Sequence, residues 1–485
     1  MRTGLFLSFL LLQISVLSQD LPYNFTVKGA EDTVIYLANY YGEKLYYADT
    51  ARSDSEGKCG FEAIGENEEG KYAVVIPGPK YFELVIADGE KIEMATDTSD
   101  LTGNMQVLQS ENNRLMYDYV SYLTEKRKER EKLVKELEEN EGKPKVTAKI
   151  KERYNKLNDE VIAYQVKTYE DHKDLFAARE IYMSVEPEVP ETLKEDREKG
   201  YYWFKNHYFD HFNLDDNRII RTPVFHSKLV NYLNKTLLQV PDTIIDAVDR
   251  LVGQLDPDSE VFKYVVHYTT YNFETSKIMG LDEVFVHMVD TYYKTGQAYW
   301  MDEDKLKNII EKADTKRKTL IGKPVPDLTL ADTSENWIGI KRDIKKPYVV
   351  LFFYDPDCGH CKKETPKLVE FYQNYEGDDL AIYAVSSQNG ERWKEFINEK
   401  EMGSFYNVAI PQEAFESAEY ATGLITQGKT NYESLKFQET FDIFSTPKIF
   451  VLDEDRTIRA KDIGVEQLGD FLSRFKEQAE AQKAE

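Results

Sequence analysis

The stretch from Tyr348 to Pro366 constrains the fold more than any other part of the chain. Tyr348–Tyr354 is an unbroken run of apolar and aromatic residues, the pattern of a central strand covered on both faces. Asp355-Pro356-Asp357 then supplies a turn, and Cys358-Gly-His-Cys361 leads into a helix-compatible Lys-Lys-Glu segment. The order is strand, turn and helix N-terminus, with a Cys-x-x-Cys at the turn. A cysteine placed there faces unpaired backbone N–H groups and the positive end of the helix dipole, and both favour a thiolate. Leu380–Val385 reads as the next parallel strand, completing a β-α-β unit. Ile449–Asp453 and Thr457–Lys461 form a hairpin across Glu454-Asp455, and Val465–Gln478 is a closing helix.

The 485 residues exceed one ordinary domain. Upstream, Phe25–Val27, Thr33–Leu37, Tyr72–Ile76 and Phe82–Ile86 are β-type runs punctuated by Gly, Asp and Pro, which predicts a small antiparallel β-domain over 22–97. From 104 to 317 the pattern is helical. Val146, Ile150, Tyr154, Leu157, Val161, Tyr164, Tyr169, His172 and Phe176 form an apolar stripe, separated from the preceding helix by Gly142 and Pro144. The charge-dense run 125–141 reads as a solvated helix. Leu320-Ile-Gly-Lys-Pro-Val-Pro opens the last domain, 320–480. The whole is multidomain α+β: a β-domain, an all-helical region and an α/β domain with a mixed sheet. Ser404–Phe437 reads as a surface insertion with two outcomes, a passive loop or a lid.

Residues 1–18 have Arg2, an apolar Leu5–Leu12 core and a small residue at Ser18, the form of a cleaved secretory signal. The apolar core is far shorter than the roughly 20 residues of a membrane span, and no later segment is apolar for long enough. Export to the periplasm or cell envelope is the expectation. The formal net charge of −25 becomes −26 without Arg2, and such an acidic protein is a poor partner for nucleic acid. Only three cysteines occur, Cys59, Cys358 and Cys361, too few for a disulfide-stapled scaffold. Cys59, between Gly57 and Gly60, reads as a lone thiol, with a resolving or mixed-disulfide partner as the alternative. His207 and His211 have the spacing of two ligands on one helix face. Without a Glu after the first His or a third ligand, they are assigned structural roles, and no metal or cofactor is expected.

Three motifs in order, Gly322-Lys-Pro-Val-Pro-Asp, Cys358-Gly-His-Cys-Lys-Lys-Glu-Thr-Pro366 and Ser445-Thr446-Pro447, resemble the exported TlpA/ResA-like thiol-disulfide oxidoreductases. The resemblance implies a thioredoxin fold. Leu37–Thr50 resembles an uncharacterised β-sandwich-like domain found upstream of thioredoxin domains in Bacteroidetes. Tyr201–Phe212, Arg221–His226 and Ser276–His287 resemble an uncharacterised helical region of the same proteins. Carried over to this chain, the resemblance makes Cys358 the nucleophile, Cys361 the resolving thiol, and Cys358–Cys361 the redox-active disulfide. His360 would stabilise the thiolate, Glu364 would accept a proton from Cys361 or tune the pair, and Thr446 with a cis Pro447 would face the substrate peptide. Two departures stand out. Phe352 occupies the place of the buried acid of thioredoxins, and Asp357 replaces the usual Trp before the first cysteine, putting a carboxylate beside Cys358.

The expected partners are protein disulfides and an unidentified electron donor, and the oligomeric state is not specified. Cys-Gly-His-Cys is also the tetrapeptide of protein disulfide isomerases, so isomerase or oxidase activity stays open beside reduction. A cell-envelope binding or scaffold protein with a vestigial thioredoxin domain is the non-enzymatic alternative. Peroxiredoxins share the fold but need Thr or Ser three residues before the reactive cysteine, where this chain has Asp355.

Overall fold

The computed structural model describes residues 21–65, 68–78 and 80–484, so the expected signal segment 1–18 lies outside the described residues. Two compact units are present, and neither is contiguous in sequence. The first contains the chain to Thr236 together with Gln254–Phe262; the second contains Leu237–Gly253 and the chain from Lys263.

The first unit begins with eight strands: β1 Tyr23–Lys28, β2 Val34–Tyr41, β3 Lys44–Arg52, β4 Lys58–Phe61, β5 Gly70–Ile76, β6 Lys80–Ile86, β7 Ile92–Asp97 and β8 Gln106–Gln109. They form two four-stranded sheets, ordered β4-β1-β7-β8 and β3-β2-β5-β6. All pairings are antiparallel except β1–β7, which is parallel. Alternate residues Tyr23, Phe25 and Val27 of β1 turn inward and share one core with Val74, Phe82 and Leu84 of the other sheet, as a sandwich requires. Cys59 on β4 belongs to that core. Three helices follow, α1 Glu111–Glu139, α2 Pro144–Asp171 and α3 Phe176–Met183. The Asn113 side chain ties α1 to β6, accepting from Val85 N–H and donating to Val85 C=O, both at 2.7 Å. The stripe read as one helix face is divided: α2 stops at Asp171 and Phe176 opens α3. His207 and His211 bond separately, to Asp210 and to the Val185 carbonyl.

The second unit carries helices Pro241–Val252, Asp282–Met288 and Glu303–Arg317 and then a seven-stranded sheet. Its strands are β9 Thr329–Asp332, β10 Trp337–Gly339, β11 Tyr348–Tyr354, β12 Leu380–Ser386, β13 Tyr406–Ala409, β14 Lys448–Leu452 and β15 Ile458–Lys461. The order is β10-β9-β13-β12-β11-β14-β15, with β11, β12 and β13 parallel and the remaining pairs antiparallel. The mixed sheet is therefore as expected, and β11 is buried along almost its whole length. Its two faces carry separate cores, one with Val350, Phe352 and Leu368, the other with Val349, Leu351 and Phe353. The segment 404–437 is more than a surface insertion. It supplies β13 to the sheet and places Phe437 in the core, stacked on Phe353. Four residues of strand were too short a signal to separate from the polar sequence around them.

Candidate active site

Apolar β11 runs through the sheet and ends at Tyr354, which delivers the next residues to the sheet edge. Asp355-Pro356-Asp357-Cys358 closes as a turn, with Cys358 N–H donating to the Asp355 carbonyl at 3.1 Å. Asp at the first place and Pro at the second suit a type I turn. Cys358 is then the N-cap of helix Gly359–Gln373, with an extended backbone at φ −66° and ψ 125°. Its half-buried sulfur lies 3.3 Å from the Thr446 carbonyl, and the Thr446–Pro447 peptide is cis. Cys361, one turn into the helix, is 0% exposed. All three cysteines are free thiols.

The two thiols have opposite acidities. Burial works to raise the Cys358 pKa, but the backbone N–H groups of Cys361 and His360 and the Thr446 side chain outweigh it and hold the thiol below its ordinary value. Burial also acts on Cys361 and there prevails, with the neighbouring Cys358 charge adding to it. The Asp355 N–H and Thr446 only partly offset these effects, and the thiol is pushed up to about 11. One sulfur is thus accessible and readily ionised, the other sealed and protonated.

The remaining predicted residues fall into place unevenly. His360 is exposed, and its contribution to Cys358 comes through the backbone N–H. Glu364 accepts from Lys367 Nζ at 2.9 Å, and Lys367 also reaches Glu466. Phe352, at the place of the thioredoxin acid, is fully buried and stacked on Tyr354. The Asp357 carboxylate accepts from Gln388 Nε2 at 3.1 Å, and Arg392 Nε of the helix Glu391–Glu399 lies 3.4 Å from it.

Sequence reasoning missed Asp355, Ser387 and Gln388. The Asp355 carboxylate accepts from Asp357 N–H, Ser387 Oγ and Gln388 Nε2, and these bonds hold it ionised although burial opposes that. The Asp-Pro-Asp turn was a signal for Asp355; nothing in sequence pointed to Ser387 or Gln388. Phe444, two residues before Thr446, was also passed over and is 89% exposed.

A mixed sheet, a cysteine pair at a helix N-terminus and a facing cis-proline loop define a thioredoxin-like dithiol domain. Residues 321–461 match the AhpC/TSA family, and residues 122–316 match a domain of unknown function, DUF5106. The C-terminal part of the chain is a thioredoxin-like oxidoreductase domain, similar to the ResA-type thiol-disulfide oxidoreductases. Thiol-disulfide oxidoreductase ResA of Bacillus cereus is 26% identical over 164 residues, covering 33% of this chain and 81% of that protein. Among solved structures, a domain of a possible thiol-disulfide isomerase from Cytophaga hutchinsonii is 32% identical. That likeness covers 33% of this chain and 97% of the other, with a TM-score of 0.27. A thioredoxin-like protein from Bacteroides caccae is 16% identical over 60% of this chain and 97% of its own, with a TM-score of 0.44.

Proposed function

We propose that the chain is an exported thiol-disulfide reductase that acts on protein disulfides through Cys358 and Cys361. The observation that carries this reading is the asymmetry of the pair: an accessible thiol of lowered pKa beside a buried thiol at about 11. The Cys358 thiolate attacks one sulfur of a substrate disulfide, forming a mixed disulfide and releasing one substrate thiolate, which takes a proton from solvent. Covalent capture removes the negative charge of Cys358, one of the causes that raise Cys361, so the buried thiol ionises more easily at that moment. Its thiolate then attacks Cys358 Sγ. The Cys358–Cys361 disulfide forms, the second substrate thiol leaves, and the substrate has gained two electrons. A dithiol electron donor must return the enzyme to its reduced form.

Thr446 and Pro447 offer the backbone along which an extended substrate segment would lie. Glu364, tied to Lys367, acts on the pair through its charge, and Glu364→Gln changes the reduction potential. The leading segment 1–18 acts as the export signal, placing the enzyme in the periplasm or cell envelope. No described helix is long and apolar enough to cross a membrane.

The test is insulin reduction by the wild type and by Cys358→Ser, together with trapping by Cys361→Ser. Loss of activity in the first variant and a stable mixed disulfide in the second are expected. Unchanged activity in Cys358→Ser sinks the proposal. The reduction potential decides direction: a value near the roughly −270 mV of thioredoxin supports reduction, whereas about −120 to −180 mV assigns the pair to oxidation or isomerisation.

A further inference from the structure

Every hydrogen-bonding group of Asp355 is engaged around the dithiol. Its N–H is directed at Cys361 Sγ across 3.5 Å, and its carbonyl accepts the Cys358 N–H at 3.1 Å. Its carboxylate accepts the Asp357 N–H at 2.7 Å, which closes the turn from inside. The same carboxylate is gripped from outside by Ser387 Oγ at 2.6 Å and by Gln388 Nε2 at 3.1 and 3.3 Å. Ser387 and Gln388 directly follow β12, the parallel neighbour of β11. Ser387 N–H also donates to the Tyr354 carbonyl at 2.9 Å. The Asp355 side chain thus fastens the turn that carries the nucleophile to the end of the adjacent strand, beside the Gln388 bond to Asp357.

We propose that Asp355 is a positioning residue for the dithiol: its carboxylate, held by Ser387 and Gln388, fixes the turn that lets Cys358 cap the helix and aims the Asp355 N–H at Cys361. The proposal rests on the dithiol reading above. Two physical effects of this carboxylate have opposite signs. As a bare negative charge near Cys358 it disfavours the thiolate. As a turn lock it favours the thiolate, because it keeps the Cys358 sulfur over the N–H groups of the first helical turn. The other titratable groups about Cys358 are Cys361, His360 and Asp357 on the same segment. Arg392 approaches Asp357 from the helix Glu391–Glu399, and the cis-proline loop faces the sulfur with Thr446.

The experiment measures the rate of Cys358 alkylation by iodoacetamide against pH in the reduced full-length protein, with the adduct located by mass spectrometry. Wild type, Asp355→Ala, Asp355→Asn and Gln388→Ala are compared after circular dichroism shows each to be folded. Asp355→Ala should raise the midpoint and slow alkylation at pH 7 by about three- to tenfold, as the thiolate fraction falls. Asp355→Asn keeps an oxygen for the Asp357 N–H and should stay within about twofold of wild type, with Gln388→Ala between the two. Faster alkylation in both Asp355 variants would mean that only the charge matters. Unchanged profiles in all three variants would mean that the clamp does nothing for the thiols. Either result overturns the proposal. Failure of the reductase reading is seen separately, as unchanged insulin reduction in Cys358→Ser, while the alkylation profiles still report on Asp355.

Discussion

Two thiols separated by two residues experience the same helix terminus very differently, because one sulfur receives its N–H groups and the other is sealed behind it. Cys358 is held below its ordinary pKa and Cys361 is pushed up to about 11. The reactive form of each is the thiolate, so reaction rises with pH through the thiol's own midpoint and levels above it. Iodoacetamide at pH 7 should therefore label Cys358 alone, with a midpoint below that of an ordinary cysteine, and should leave Cys361 unlabelled until the pH approaches 11. Rate measurements across pH 5–11 with site-resolved mass spectrometry check both halves. Asp357 bears on the same balance. Its carboxylate is drawn to Gln388 and Arg392, so freeing it by Arg392→Ala should raise the Cys358 midpoint. Adding Asp357→Asn to that variant should lower it again. A double-mutant cycle on the alkylation midpoint measures the coupling.

At the scale of elements, the cis-proline loop and α1 each place one side chain where its removal can be read. Phe444 is almost wholly exposed two residues before Thr446, on the loop that faces Cys358. Phe444→Ser should raise KM for insulin by about three- to tenfold, the loss of one apolar contact of about 1 kcal/mol. Reduction of a small disulfide such as dithiobis(nitrobenzoate) should remain within about twofold of wild type. Asn113 does different work, satisfying the buried N–H and C=O of Val85 from the first turn of α1. Asn113→Ala should cost about 2–4 kcal/mol in urea unfolding, because both groups are left without a partner. The elements legible from sequence were those with a continuous or strictly alternating apolar signal: β1, β2, β5, β6, β11, β12 and the β14–β15 hairpin. The exposed edge strand β3 and the four-residue strands β4, β8 and β13 carry no such signal. In the site, Cys358, Cys361 and the Thr446–Pro447 loop were legible because each lies in a local motif. Ser387, Gln388 and Arg392 were not, since only strand pairing brings them to a turn some thirty residues away in sequence.

For the molecule as a whole, helices of the stretch 104–317 occur in both compact units. Sequence periodicity reports that a face is apolar and is silent about what covers it, which is why this division could not be read in advance. Within the second unit, Lys461 of β15 is buried and bonds Asp282 and the Thr319 carbonyl. Helix Asp282–Met288 is thereby joined to the sheet by an ion pair screened from water. Asp282→Leu should destabilise this unit by about 3–5 kcal/mol, leaving the Lys461 charge unpaired, and the double variant with Lys461→Met should recover most of that loss. Urea denaturation followed by circular dichroism separates the two outcomes. The first unit contains a feature with a practical consequence of its own. Cys59 is 8% exposed in the sandwich core and its thiol is pushed up to about 12, so it is chemically silent while the strands stay packed. A thiol-counting reagent applied over time therefore reads the active site first and the integrity of the sandwich afterwards, which gives this protein a built-in clock for its own unfolding.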